Sequence, residues 1–320
     1  MAGKLTPAAL ERLVFARTGA ANDDVLVGPA YGEDAAAVAD GDRTLVASTD
    51  PISLAADRIG RLAVAVATND VAASGGLPEY LLPTILLPDE DLDRLDRITA
   101  DLDDAAERLG VAVVGGHTEV VAGLSRPLLS LACFGFADRF VPTSGAEPGD
   151  RVLLTKSAGI EATAVIAADF GDDLDLSDAL VERATRRFDQ LSVLPEATAL
   201  APLATAMHDP TEGGVLGAAV ELARASGVAV DLDREALPVA EDTREVCAAA
   251  GVDPLRVLGS GALFATVPGD AVDDALDAVA DADVPAAVVG RVGAAETPAV
   301  RVDGERHAEP VRDEMYRLWD

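Results

Sequence analysis

Residues 62–78 read LAVAVATNDVAASGGLP: a run of Ala and Val with the composition of a helix buried on every side. Asn69 and Asp70 interrupt the run, and Ala72, Ala73, Ser74 and a Gly75-Gly76 stop follow. A carboxylate in so apolar a surface needs a partner, because an unpaired buried charge costs several kcal/mol. No Lys or Arg lies between Arg61 and Pro78 to supply one locally. A bound cation carrying phosphate oxygens would. The alternative is a helix C-terminus at which Asn69 and Asp70 face water and Gly75 caps the end.

Outward from this helix (58–73), the N-terminal side predicts a short amphipathic helix at 7–17 and a polar loop at 19–32. Strands at 35–39 and 44–48 are joined by the Asp40-Gly41-Asp42 turn. On the other side lie an apolar strand at 80–87, with Pro83 placing it at an edge or bulge, and a long charged helix at 90–109. Strands follow at 111–114 and 127–136. The mixed order predicts an α+β layer rather than a strict βαβ repeat. Pro142, Ser144, Gly145, Pro148 and Gly149 cluster at 138–150, which reads as a boundary. A strand at 151–155 opens the second half. Helices are expected at 161–169, 177–190, 195–204, 213–225 and 271–280, and strands at 228–232, 262–267, 287–292 and 300–302. The tail, 311–320, reads as a short amphipathic helix.

The 320 residues exceed one ordinary core, so two domains, 1–140 and 148–320, are expected. Asp and Glu number 56 against 25 Lys and Arg, for a formal charge of -31. The only lysines are Lys4 and Lys156. Acid excess along the whole chain with lysine avoided points to adaptation to concentrated salt, where counter-ions screen self-repulsion; the other reading is an ordinary acidic protein. Either way the charge argues against nucleic acid and anionic membranes as partners. Cys133 and Cys247, with no CxxC spacing, read as reduced core residues of a cytoplasmic protein. The N-terminus, with Glu11 and Arg12, does not read as a signal peptide, and no apolar run is long enough to span a membrane.

Five acids stand apart from helix faces. Asp34 follows a Gly-rich turn, Asp50 ends a strand, Asp70 breaks the apolar helix, Glu119 follows Gly115-Gly116-His117-Thr118, and Asp209 lies in HDPTEGG (208–214). Each sits beside Gly, Pro or a strand end, where loops position functional groups. Hard oxygen ligands of this kind suit Mg²⁺ held together with substrate phosphates. The usual nucleotide fingerprints are missing: Lys156-Ser157 follows Thr155 rather than Gly, and Gly259-Ser260-Gly261 lacks a third glycine. With His117, His208 and His307 as the only histidines, a His or Cys metal site does not fit. His307 reads as a solvated tail residue; His117 and His208 read either as ligand contacts or as turn-stabilising groups. Lys156 reads as a solvated strand-end lysine, with ligand contact as the alternative.

The ordered set GEDAAAV (32–38), STDPI (48–52), TNDVAASGGLP (68–78), GGHTEV (115–120) and HDPTEGG resembles the aminoimidazole ribonucleotide (AIR) synthase, or PurM-like, superfamily. That group includes thiamine-monophosphate kinase, selenophosphate synthetase and the hydrogenase maturation factor HypE. The second half looks most like HypE, through HDPTEGG, Leu237-Pro238-Val239 and Gly251-Val252-Asp253-Pro254-Leu255. The resemblance implies an N-terminal α+β domain that pairs across a homodimer, a C-terminal α/β domain, and ATP with Mg²⁺ in the groove between them. It implies Asp34, Asp50, Asp70 and Asp209 as metal ligands. Gly32, Asn69, Gly116, Thr118 and Glu119 would complete the nucleotide contacts, with Asn69 on phosphate or orienting Asp70. Asp70, Asp209 and His117 would be the catalytic groups. Family chemistry is attack on ATP by an amide or carbonyl oxygen, giving a phosphorylated intermediate.

Two departures touch the substrate half of that chemistry. HypE-type chains end in a cysteine, whereas this one ends Arg317-Leu318-Trp319-Asp320. Their Asn-Glu-Gly turn is matched here by Gly259-Ser260-Gly261. The expectation is therefore an ATP- and Mg²⁺-dependent phosphoryl-transfer enzyme acting on an amide, carbonyl or phosphate-type acceptor, small or protein-borne. The alternatives are a scaffold that binds ATP without turnover, and a true HypE, against which the missing cysteine argues.

Overall fold

The computed structural model describes residues 3–53 and 58–319; Asp320, the end of the expected tail helix, lies outside them. The first half forms a seven-stranded sheet. Its strands are β1 (Val25–Val27), β2 (Ala36–Asp40), β3 (Arg43–Ile52), β4 (Leu77–Leu87), β5 (Ala112–Val113), β6 (His117–Val120) and β7 (Leu128–Ala137). They run in the order β1-β2-β3-β7-β4-β5, with β6 also paired to β4. Pairing is antiparallel except that β5 and β6 run parallel to β4. Along β7 every second residue is buried, the period of a sheet covered on one face only. Helix α1 (Pro7–Leu10) is short and widens into a π-type turn over Glu11–Phe15, so the helix expected at 7–17 does not form as one regular element.

Helices α2 (Ile59–Ala73) and α3 (Leu92–Leu109) cover the sheet. In α2 every residue but Arg61 is buried. The helix is apolar all round because three cores claim it. Val64, Ala67 and Val71 pack with Leu81, Leu129 and Leu131 of the first sheet. Leu62, Ala65 and Val66 join Leu154, Ile160 and Leu258 of the second half, and Ala72 and Ala73 join Val193 and Met207. Gly60 lets α2 approach α3, since a Cβ there would collide with the Ile98 carbonyl.

The second half forms another seven-stranded sheet, in the order β14-β13-β10-β12-β8-β11-β9. Its strands are β8 (Arg151–Thr155), β9 (Ala206–His208), β10 (Val228–Leu232), β11 (Phe264–Val267), β12 (Ala286–Ala294), β13 (Ala299–Val302) and β14 (Glu305–His307). Around it lie α4 (Ile160–Phe170), α5 (Asp178–Thr185), α6 (Leu194–Leu200), α7 (Gly214–Ser226), α8 (Glu241–Ala250) and α9 (Val272–Asp281). The helix expected at 177–190 changes to a 3-10 turn at Arg186, and the tail forms a 3-10 turn over Glu314–Leu318. Cys133 and Cys247 are free and buried. His307 is on β14 and partly buried, not a solvated tail residue.

Pro83 corrects one expectation: β4 is an inner strand, not an edge. It pairs with β5 at Tyr80 and Leu81 and with β6 from Thr84 onward, so Pro83 occupies the gap between two short partners. Its missing N–H therefore leaves no ladder position on that side unfilled.

Candidate functional site

Four of the five acids converge where α2 meets the second half. Ser48 donates from Oγ to the Ala67 carbonyl at 3.1 Å, pinning β3 to α2. Two residues further along β3, Asp50 projects from the same face; three residues further along α2 comes Asp70. Asp50 abuts Asp70 there. Asp70 lies in the last turn of its helix, where the helix dipole disfavours an anion. Asp34 enters from the loop before β2. Its neighbour Gly32 has φ +88, and a Cβ there would stand 3.1 Å from the Glu221 carbonyl of α7. Asp209 follows β9 and is 0 % exposed.

The protein supplies this cluster with too little positive charge. His208 is wedged between Asp34 (Nδ1 to Oδ1, 2.6 Å) and Glu221 (Nε2 to Oε2, 3.0 Å). Burial opposes its charging, but Asp34 and Glu221 raise it to about 10, so it is an imidazolium. Asp34 Oδ2 and both oxygens of Asp209 remain buried without a hydrogen-bond partner. Burial pushes Asp209 up to about 8, with Asp34 and Asp50 adding to it. Burial, then Asp50, Asp209 and Asp34, pushes Asp70 well above the usual carboxylate range. Buried carboxylate oxygens without a partner, from Asp34 and Asp209, lie beside two further acids, Asp50 and Asp70, and hard oxygen donors of this kind suit a hard cation. One oxygen of Asp34, a ring nitrogen of His208 and one oxygen of Asp209 all lie within 4.8 Å of one another.

These shifts fix a sign for stability. Asp209 unfolded titrates near 3.9 and folded at about 8, so the folded chain holds the extra proton between those values. Stability from this group is full below about pH 4 and is lost as pH rises through 8. His208, raised to about 10, acts in the same direction above about pH 6.5; Glu221, held at about 2, is constant over this window. Stability in EDTA is expected to fall from pH 5 to pH 8.5 by at least the ~1.4 kcal/mol that one pKa unit represents, seen as a lower thermal midpoint. Saturating Mg²⁺ at pH 8.5 should restore most of it. A midpoint that rises across this range, measured by calorimetry, would refute the charge assignment.

Beside the cluster opens a cavity of about 520 Å³. Its lining also includes Glu161 of α4, Ser260, Glu212 and Tyr316. Burial lifts Glu161 to about 7, while the adjacent Ser260 favours its ionised form. Sequence reasoning missed Glu161 and Glu221; both are acids in apolar helices, α4 and α7, the same signal that singled out Asp70.

Other expected residues lie elsewhere. Asn69 does not turn toward the acids: its Nδ2 donates to the Leu191 carbonyl (2.8 Å) and its Oδ1 accepts from the Val193 amide (2.9 Å). His117, Thr118 and Glu119 are exposed on β6, where His117 and Glu119 pair with each other at 3.3 Å. Asp50 is opposite Leu131, Leu131 opposite Pro83, and Thr84 opposite His117. Gly116 is therefore three strand spacings from Asp50, about 14 Å, and the chain does not bring this group to the cluster. Lys156 is not solvated: its Nζ meets Glu196 Oε1 at 2.7 Å, with 14 % of its side chain exposed.

The descriptions "AIR synthase related protein, N-terminal domain" and "AIR synthase related protein, C-terminal domain" match residues 32–137 and 147–303. The carbamoyl dehydratase HypE of Azotobacter vinelandii is 33% identical over 268 residues, covering 79% of this chain and 75% of that protein. The thiamine-monophosphate kinase of Halobacterium salinarum is 33% identical over 282 residues, 87% of this chain and 92% of that one. A HypE structure determined in complex with ATP superposes with a TM-score of 0.70 at 24% identity, covering 96% of this chain and 92% of that one. The two-sheet α+β architecture is thus PurM-like, and the chain belongs to the AIR synthase related family.

Proposed function

We propose that the chain is an enzyme that binds Mg-ATP at the Asp34, Asp50, Asp70 and Asp209 cluster and phosphorylates an amide, carbonyl or phosphate-type acceptor in the adjoining cavity. The observation that carries this is the set of buried carboxylate oxygens of Asp34 and Asp209 left without a partner beside the cavity. Mg²⁺ bound there supplies charge neutralisation for a transferring phosphoryl group. The chain's own residues do the rest. The acids fix the position of the metal, Leu62, Val66 and Val165 exclude water along one wall, and Glu161 exchanges a proton near neutral pH at the acceptor end. The HypE structure solved with ATP, and the kinase and dikinase names of two relatives, support ATP as the donor.

The open face of the first sheet exposes Leu77, Tyr80, Leu82, Val113, Val114 and Val120. In this reading a second copy covers that face and stands near the His117–Glu119 strand; a monomer by light scattering in molar KCl would remove the dimer. The acid excess suits the same concentrated salt. Among the described residues no helix is long and apolar enough to cross a membrane.

The test is calorimetric titration of Mg-ATP into the protein in molar KCl. Binding followed by ADP release with an added acceptor supports the enzyme. Tight binding with no turnover in any acceptor mixture supports the scaffold instead, and no binding rejects the nucleotide.

A further inference from the structure

The cavity beside the acid cluster has one base. Among its described lining residues, Glu33, Asp34, Asp50, Asp70, Glu161 and Glu212 are acids, and only Lys4 is positively charged at neutral pH. Lys4 is one of two lysines in a chain that otherwise uses arginine. The other, Lys156, is locked into a buried ion pair. A compact ammonium is therefore kept only where it is enclosed by the fold or faces this cavity.

The N-terminal segment is seated rather than trailing. The Lys4 amide donates to Glu212 Oε2 at 3.1 Å. Gly3, at φ +119, lies against the Tyr316 ring, where a Cβ would come within 3.2 Å of a ring carbon. Lys4 Nζ donates to Glu221 Oε1 at 3.2 Å, and the other oxygen of Glu221 receives His208, which meets Asp34. Its backbone rests on Glu212, another lining residue of the cavity, and its ammonium is one carboxylate and one imidazole from Asp34. Burial opposes its charge, but Glu221 and Glu212 raise its pKa above the ordinary value, so it stays an ammonium. The side chain is 48% exposed, and Glu221 is its one acceptor among the described residues. An ammonium has three donors, so two remain to meet an anion.

We propose that Lys4, delivered by the N-terminal segment, binds the terminal phosphoryl group of the nucleotide, between the metal-holding acids and the acceptor. This rests on the Mg-ATP reading of the site. A charge-assisted hydrogen bond from a partly enclosed ammonium to a phosphate oxygen is among the stronger polar contacts. A contact confined to the terminal phosphoryl group discriminates ATP from ADP; a general loss of positive charge, or of a seated tail, does not.

The experiment is calorimetric titration of Mg-ATP and of Mg-ADP into wild type and Lys4→Gln in molar KCl, with the nucleotide-free thermal midpoint of each protein as the structural control. The expected result is a Kd for Mg-ATP at least tenfold weaker in Lys4→Gln, with Mg-ADP within twofold of wild type and the midpoint within about 2 °C. Unchanged Mg-ATP binding in Lys4→Gln overturns the inference. Equal weakening of both nucleotides also overturns it and leaves Lys4 as an anchor of the tail. Wild type that binds no Mg-ATP fails the nucleotide reading itself, a result distinct from either.

Discussion

Asp70→Asn should weaken Mg-ATP binding by about 100-fold or more while leaving the chelated protein at pH 8 no less stable than wild type, and more stable by about 1–2 kcal/mol if the like-charge repulsion is fully relieved. The two effects have one cause. Asp70 is buried beside Asp50, Asp209 and Asp34, at the C-terminal end of a helix, with no lysine or arginine of its own. Without a cation each ionised carboxylate there raises the energy of the folded state. In the proposed Mg-ATP complex the same carboxylate is a ligand. Asparagine keeps the shape and a hydrogen-bonding oxygen but removes the charge. Calorimetry for binding and thermal melts in EDTA read the two sides separately. If the substitution instead lowers the midpoint by several degrees with binding intact, Asp70 is a structural acid and the metal-site assignment fails.

Asp34, Asp50, Asp70 and Asp209 stood out in the sequence because each breaks a local rule; the same rule also picked Glu119, and that the four meet at one site was legible only through the family resemblance. Asp70 interrupts an apolar helix, and the others sit at strand ends or in Gly- and Pro-rich turns. The helix itself was legible for the same reason, since a run apolar on every side has to be enclosed by more than one partner. What escaped depends on residues distant in the chain. Asn69 looked like a ligand because it adjoins Asp70, yet its amide is taken by backbone atoms of Leu191 and Val193, more than a hundred positions away. Glu221 and Glu161 lie in helices whose small residues gave no sign of which face meets the cavity. His117, Thr118 and Glu119 have the right motif, but strand order places them across the sheet from the acids. Pro83 signalled a gap in pairing correctly in physical terms, and the gap proved to lie inside the sheet, between β5 and β6.

Lys156→Met is expected to cost about 3–5 kcal/mol, the penalty for stripping one partner from a buried ion pair. Lys156 read as a solvated strand-end residue because nothing in Leu154-Thr155-Lys156-Ser157 shows that Glu196, forty positions on, closes over it. Glu196 is 0% exposed; its Oε1 lies 2.7 Å from the Lys156 ammonium in an ion pair and accepts from Thr155 Oγ1 at 3.1 Å. Burial lowers the Lys156 pKa although Glu196 opposes this, which marks how little solvent supports the charge. The ammonium also donates to the carbonyls of Gln190, Ser192 and Gly261. Loop 190–193 is therefore gripped alternately: Gln190 and Ser192 by Lys156 from the second half, Leu191 and Val193 by Asn69 from the first. Losing Lys156 loosens the loop that fixes Asn69, and Asn69 adjoins Asp70, so a weaker second effect on Mg-ATP affinity should accompany the loss of stability. Lys156→Met with Glu196→Gln removes the orphaned charge and should recover part of the stability, because Gln still offers Thr155 an acceptor. Denaturant unfolding of the single and double variants measures this coupling. A double variant no more stable than Lys156→Met alone would show that the three carbonyl contacts, not the ion pair, carry the stability that Lys156 contributes.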